Sequence, residues 1–265
     1  VASTPGLRIA TLPNLRDVGG HPTRDGGRVR TGLLFRSTDL SRLDDAGAAA
    51  LGELGIRAVF DLRTARERER GPDRLPPGAD HVALDVLRDS AGLTPADMEG
   101  IFATPGAAAG ALGDGRAERF FVDAYREFVE LPSARHAFGR LFRELVDPGR
   151  RPGLVHCTTG KDRTGWATAM LLLLLGVPDE VVLEEYLLSG PVIAALFAPH
   201  LAAFEAVGGD PALLRPLVEV RVEYLEAGLS AMRESYGTVE RYLGDGLGVD
   251  GAAREALRLA FVEPG

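Results

Sequence analysis

Apolar and polar positions along the chain fall into three successive patterns. Val1 to about Thr38 shows no helical repeat; Gly19-Gly20 and Asp25-Gly26-Gly27 punctuate it, and a strand is expected through Arg30 to Phe35. Strand-like and helix-like stretches then alternate. Leu43 to Leu54, rich in Ala and Leu, predicts a helix stopped by Gly55. Ala58-Val59-Phe60-Asp61-Leu62 predicts a buried strand, Thr64 is placed to cap a short charged helix over Ala65 to Arg70, and His81 to Val86 predicts a further strand. Thr94 to Ala103 reads as a helix. Pro105 to Gly115, mostly Gly and Ala without periodicity, is expected to be a mobile loop. Phe120, Tyr125, Phe128 and Val129 mark an amphipathic helix ending near Glu130, and Phe138, Leu141, Phe142 and Leu145 mark a second from Ser133 to Val146. A strand at Gly153-Leu154-Val155 and a helix from Trp166 to Leu175 close this part.

Beyond Gly176 the pattern is helical throughout: Asp179 to Leu188, Val192 to Val207, Pro211 to Leu217, Val218 to Tyr236, Thr238 to Leu243 and Gly251 to Phe261. Strands alternating with helices, followed by helices alone, predict an α/β fold. We expect one domain over 1–265. Its core, 1–177, has a central, mostly parallel sheet flanked by helices, and 178–265 is a helical C-terminal extension. The most apolar stretch, Trp166 to Val177, falls short of the ~20 residues of a spanning helix, so a core helix and no stable membrane anchor are expected.

Composition narrows the classes. Lys and Arg number 30 against 38 Asp and Glu, a formal charge of -8. That balance argues against broad nucleic-acid binding and against polybasic attachment to anionic membranes. Cys157 is the only cysteine, so no intramolecular disulfide forms. A free thiol used chemically must stay reduced, which predicts a cytoplasmic setting. Val1 to Ala10 lacks the pattern of a secretory signal, while export by a signal-free route stays open.

The chemistry concentrates in His156-Cys157-Thr158-Thr159-Gly160-Lys161-Asp162-Arg163-Thr164-Gly165, between the last strand and its helix. The thiolate is the reactive form of cysteine, and a helix N-terminus with Arg163 nearby favours negative charge there. Successive amides from Thr158 through Thr159, Gly160, Lys161 and Asp162 to Arg163 can form a nest for phosphate oxygens. Gly160 lets the backbone curl, Arg163 can fork onto two oxygens, and the Thr164 hydroxyl can donate to the sulfur. His156 projects to the other face of its strand, which suits orienting the loop better than acting as a base. A buried structural cysteine is the plain alternative, but it leaves Gly160, Arg163 and Thr164 unexplained. A nucleotide P-loop, suggested by Gly160-Lys161, needs Gly at Val155 and Ser or Thr at Asp162, and fails at both.

Cys157, five residues, Arg163 and then Thr164 resemble the signature of the protein tyrosine phosphatase superfamily, in the atypical branch typified by mycobacterial tyrosine phosphatase B. Asn14-Leu15-Arg16-Asp17-Val18-Gly19-Gly20, Leu34-Phe35-Arg36-Ser37, Asp61-Leu62-Arg63 and the Tyr224 to Leu243 region are similar to that branch's markers. The resemblance implies a phosphocysteine intermediate, no metal or organic cofactor, and phosphotyrosine as substrate, with phosphoserine, phosphothreonine or phosphoinositides also open. A phosphorylated protein or phosphoinositide would be the partner, and phosphate-like anions would bind. The chain has no Trp-Pro-Asp tripeptide, and the resemblance puts the general acid at Asp162, whose plain role is a first-turn carboxylate. Asp85 is the second candidate. Lys161 would add a cation beside the phosphate, as in lipid phosphatases of the superfamily, or remain solvated. Arg16, Asp17, Arg36 and Arg63 either buttress the loop or are ordinary strand-end charges. The helical extension and Pro105 to Gly115 are lid candidates. An inactive phosphate-binding module and a sulfurtransferase are the rival functions.

Overall fold

Four strands run parallel because helices carry the chain back across the sheet between them. The computed structural model describes residues 9–91 and 105–265; the helix expected at Thr94 to Ala103 lies outside them. The strands are β1 (Arg16–Asp17), β2 (Arg28–Val29), β3 (Leu34–Ser37), β4 (Ala58–Asp61), β5 (Asp80–Ala83), β6 (Gly153–His156) and β7 (Val262–Glu263). The main sheet has the order β1-β3-β6-β4-β5, with only β1 antiparallel. β3, β4 and β6 are buried at every position, which is why they read as short runs without alternation. Successive side chains still face opposite ways: Phe35, Val59 and Leu154 pack in one apolar cluster, while Leu34, Phe60 and Val155 pack in the other. Register places Ser37 and Asp61 on either side of His156. The chain leaving β6 therefore emerges between two neighbouring carboxyl ends, where open α/β sheets bind ligands.

The helices are α1 (Asp45–Glu53), α2 (Ala65–Arg70), α3 (Pro105–Leu112), α4 (Arg116–Glu130), α5 (Pro132–Val146), α6 (Asp162–Leu174), α7 (Asp179–Leu187), α8 (Ser189–Ala206), α9 (Arg215–Val218), α10 (Val222–Tyr236), α11 (Val239–Arg241) and α12 (Gly251–Phe261). Thr64 caps α2 as expected, within a complete capping box closed by Glu67. Pro105 to Gly115, expected to be a loop, contains α3 instead. Ala is the best helix former, Pro is tolerated in the first turn, and burial of Ala108 and Leu112 suffices to dock the helix without an amphipathic stripe. The C-terminal region is not helical throughout either. β7 pairs antiparallel with β2, Val262 opposite Val29, a two-residue pairing too short to leave a period in the sequence.

The larger cluster joins residues from both sides of residue 177, among them Tyr125, Val155, Trp166, Tyr224, Tyr242 and Phe261. Gly228 of α10 permits this closeness, since a Cβ there would sit 2.7 Å from the Trp166 ring. α7 and α8 together, Asp179–Ala206, are long and apolar enough by length and composition to cross a membrane. α7, however, turns the buried Glu185 and Tyr186 toward α6 and the sheet.

Candidate active site

Cys157 leaves β6 buried, and the loop it opens ends at α6, whose first residue is Asp162. Every carbonyl from Cys157 to Gly160 is held from outside the loop. The ring Nδ1 of His156 lies 3.1 Å from Cys157 O, the Asp39 amide donates to Thr158 O at 3.1 Å, and Asn14 Nδ2 donates to Thr159 O at 3.2 Å and Gly160 O at 3.1 Å. Arg36 Nη2 also donates to Gly160 O, at 2.6 Å. With carbonyls drawn outward, the intervening N–H groups turn the other way. Among the described residues no backbone acceptor occurs for the amides of Thr158 to Lys161. The result is a concave set of donors at a helix N-terminus, a site for a tetrahedral anion. Gly160 is in the left-handed region at φ 65°, and a Cβ there would collide with Ser37 O.

Arg163 is buried under the loop. Its Nη1 and Nη2 donate to the two carboxylate oxygens of Glu67 at 2.8 and 2.7 Å, and Nη1 also reaches Leu62 O at 3.2 Å. The fork expected to grip phosphate thus grips Glu67 end-on, leaving the Nε side of the guanidinium for an anion. Burial pushes the Glu67 carboxyl up, but Arg163 and the hydrogen bonds from Arg163 and Thr158 override it and hold it down at about 2. The Arg163 guanidinium, raised by Glu67 against its own burial, stays charged.

Asp162 and Cys157 line the same cavity, and Tyr125 Oη donates to Asp162 Oδ1 at 3.1 Å. Asp85 is elsewhere: its Oδ2 accepts from the Ala65 amide at 3.0 Å, at the start of α2, and it does not line the cavity. Lys161 is neither solvated nor free to lie over phosphate. Its ammonium, 1% exposed, donates to Leu217 O at 2.9 Å and Glu219 O at 3.0 Å and sits 4.3 Å from the centre of the Phe121 ring. The C-terminal end of α9 and the residue that follows it supply those carbonyls, a contact no local spacing announces. Burial lowers the proton affinity of this ammonium, with Asp162 and Cys157 opposing. Thr164 Oγ1 is buried and makes no hydrogen bond among the described residues, so the expected donation to the sulfur is not in place.

Of the four strand-end charges, two reach the loop. Arg36 bonds Gly160 O directly, and Arg16 acts through the Asn14 side chain; both pair with the single carboxylate of Glu185, at 2.7 Å from each. Asp17 instead accepts from the Gly19 and Gly32 amides. Arg63 sits behind the loop, 2.8 Å from carboxylate oxygens of both Asp61 and Asp73. His156 Nε2 lies 3.1 Å from Asp73, in the same cluster. Burial lowers the proton affinity of His156, but Asp73 and Asp61 outweigh it and raise the imidazole. Asp61, Asp73 and His156 have the spacing of metal ligands. The Arg63 guanidinium already supplies the positive charge between those carboxylates.

A cavity of about 950 Å³ opens over Cys157. Phe120, Phe121 and Phe128 of α4 form one wall, and Phe197 and Phe204 of α8 with Leu217 of α9 form another. Pro105 to Gly115 lines none of it. An anion held at the floor would therefore carry an apolar or aromatic substituent outward. Sequence reasoning missed Glu67, Asn14 and Tyr125. The Thr64-x-x-Glu67 capping box was visible as a helix start, but nothing local links it to Arg163, 96 residues away.

A model of the tyrosine phosphatase family matches residues 7–263. The chain is 35% identical to the triple specificity protein phosphatase PtpB of Mycobacterium tuberculosis, over 90% of this chain and 94% of that protein. It is 30% identical to a tyrosine-protein phosphatase of Nostoc commune, over 87% of this chain and 74% of that protein.

Proposed function

The chain belongs to the tyrosine phosphatase family, and from that premise we propose how its residues hydrolyse a phosphate monoester. The supporting observation is the outward capture of the loop carbonyls, which leaves a nest of amides above Cys157. The nest and the Nε side of Arg163 hold the three non-bridging oxygens. Cys157 Sγ attacks phosphorus in line, the S–P bond forms, and the P–O ester bond breaks. Asp162 gives its proton to the departing oxygen. Asp162, now a carboxylate, takes a proton from water, whose oxygen attacks phosphorus and releases the thiolate. Arg163 matches the charge that spreads over the phosphoryl oxygens, and Glu67 fixes its orientation.

The apolar, phenylalanine-lined cavity favours an aromatic leaving group, hence phosphotyrosine. Phosphoserine, phosphothreonine and phosphoinositides are the further substrates we infer, the relative's triple specificity supporting a broad range. We read 1–265 as one catalytic unit, with 178–265 closing the site over the α/β core, and place it in the cytoplasm, where the thiol stays reduced. Fractionation of host cells tests that placement; recovery of the protein outside the cytoplasm refutes it.

A turnover panel of phosphotyrosine, phosphoserine and phosphothreonine peptides and phosphoinositides tests the reaction. Phosphotyrosine is expected to turn over, and Cys157→Ser to bind vanadate without turnover. No hydrolysis of any member, with sulfur transfer from thiosulfate, would establish the sulfurtransferase reading instead. No turnover of either kind with vanadate still bound would leave an inactive phosphate-binding module.

A further inference from the structure

We propose that Tyr125 is a positioning residue for the proton donor: its phenol fixes Asp162 Oδ1, Tyr186 fixes Tyr125, and Oδ2 is left to carry the transferred proton. The inference rests on the reading of Asp162 as the general acid. Tyr125 and Tyr186 are buried, their hydroxyls 2.8 Å apart, and Tyr125 Oη lies 3.1 Å from Asp162 Oδ1. A phenol has one proton. Donated to Asp162, it obliges Tyr186 to donate to Tyr125, so the two hydroxyls form a directed chain ending on the carboxyl. Both rings are locked. Tyr125 meets Tyr186 edge-on at 6.3 Å and leans on Phe128 at 5.0 Å, and Gly165 leaves room for the Tyr186 ring against α6.

The chain cannot easily reverse. Burial first, and the Asp162 charge after it, push the Tyr125 phenol well above its ordinary range, so it remains a donor across the working pH. The titratable and charged groups facing Asp162 are Lys161, Arg163 and Cys157 of its own loop, Tyr125 of α4, Tyr186 of α7 and Tyr224 of α10. Lys161 Nζ is 3.6 Å from the same Oδ1, which reinforces the asymmetry between the two carboxylate oxygens. A donor fixed on Oδ1 leaves Oδ2 as the free oxygen, so the phenol aims the acid. α7 takes part in both arms of the loop. Glu185 secures Arg36 on Gly160 O, and its neighbour Tyr186 secures Tyr125 on Asp162.

The test is the pH profile of kcat for Tyr125→Phe, Tyr186→Phe, Asp162→Asn and the Tyr125→Phe/Asp162→Asn double variant. Tyr125→Phe keeps the ring and its packing, and its thermal unfolding serves as the folding control. Its kcat is expected to fall about tenfold with KM little changed, and its alkaline limb to depart from that of the parent. Tyr186→Phe should move the same limb less. Asp162→Asn should flatten that limb, after which removing the phenol changes nothing further. A wild-type profile for Tyr125→Phe beside an altered Asp162→Asn overturns the positioning role alone. An unchanged Asp162→Asn profile overturns the general-acid reading and this inference with it.

Discussion

Glu67 shows how one side chain sets the behaviour of another. It receives both terminal nitrogens of Arg163, the Thr158 hydroxyl and the Thr64 amide, so nearly all of its acceptor capacity is used. Its carboxyl is held at about 2 against an ordinary 4.5. A depressed carboxyl contributes stability above its unfolded value that disappears on acidification. About 3 kcal/mol is therefore lost as pH falls from 4.5 toward 2. Urea unfolding across that range reads the loss, and Glu67→Gln should remove this part of the slope. The same variant leaves Arg163 buried without its counter-charge, so phosphotyrosine turnover should fall at least tenfold at neutral pH. Equal acid sensitivity in the variant and the parent would refute the assignment.

α7 is the element on which the loop leans. Two arginines converge on Glu185, one from β1 and one from β3; Arg36 and Glu185 are sealed from water, and Arg16 is partly buried. Burial pushes the Glu185 carboxyl up, yet Arg36 and Arg16 win and keep it ionised. Glu185→Ala strands the buried Arg36 and leaves the partly buried Arg16 unpaired from it, and should cost about 3–5 kcal/mol, measured by chemical denaturation. A loss below about 1 kcal/mol would mean that water or another carboxylate takes over. The contrast with α3 is instructive. Its Ala-rich segment is helical with Ala108 and Leu112 buried, but among the described residues it makes no hydrogen bond to the loop.

For the whole molecule, the question is whether the helices beyond residue 177 are an appendage or part of the core. Trp166 of α6 donates to the Tyr242 hydroxyl at 3.3 Å, and Tyr242 in turn donates to Phe128 O at 3.2 Å. Tyr224 stacks on Phe121 with ring centres 4.9 Å apart, and Phe204 and Leu217 form cavity wall. A chain ending at Val177 would expose all these partners. It should show no cooperative unfolding transition and no fixed near-UV signal from Trp166. A cooperative transition in that fragment would make the extension a separable unit.

The sequence by itself determined where the candidate loop lies and the class of the fold. Cys157, Gly160, Asp162 and Arg163 stand within one strand-loop-helix turn, so their convergence at a helix N-terminus follows from backbone geometry over a few residues, whereas the proton-donor role proposed for Asp162 rests on the family resemblance. The buried strands and Thr64 capping α2 were legible for the same reason, since apolar runs and caps are local signals. Tertiary structure alone decided what surrounds the loop. Glu67 under Arg163, Asn14 and Arg36 on the carbonyls, Tyr125 on Asp162, and the carbonyls of Leu217 and Glu219 on Lys161 all come from distant segments. Such partners leave no period or spacing in the chain, because only sheet register and helix packing bring them within hydrogen-bond reach.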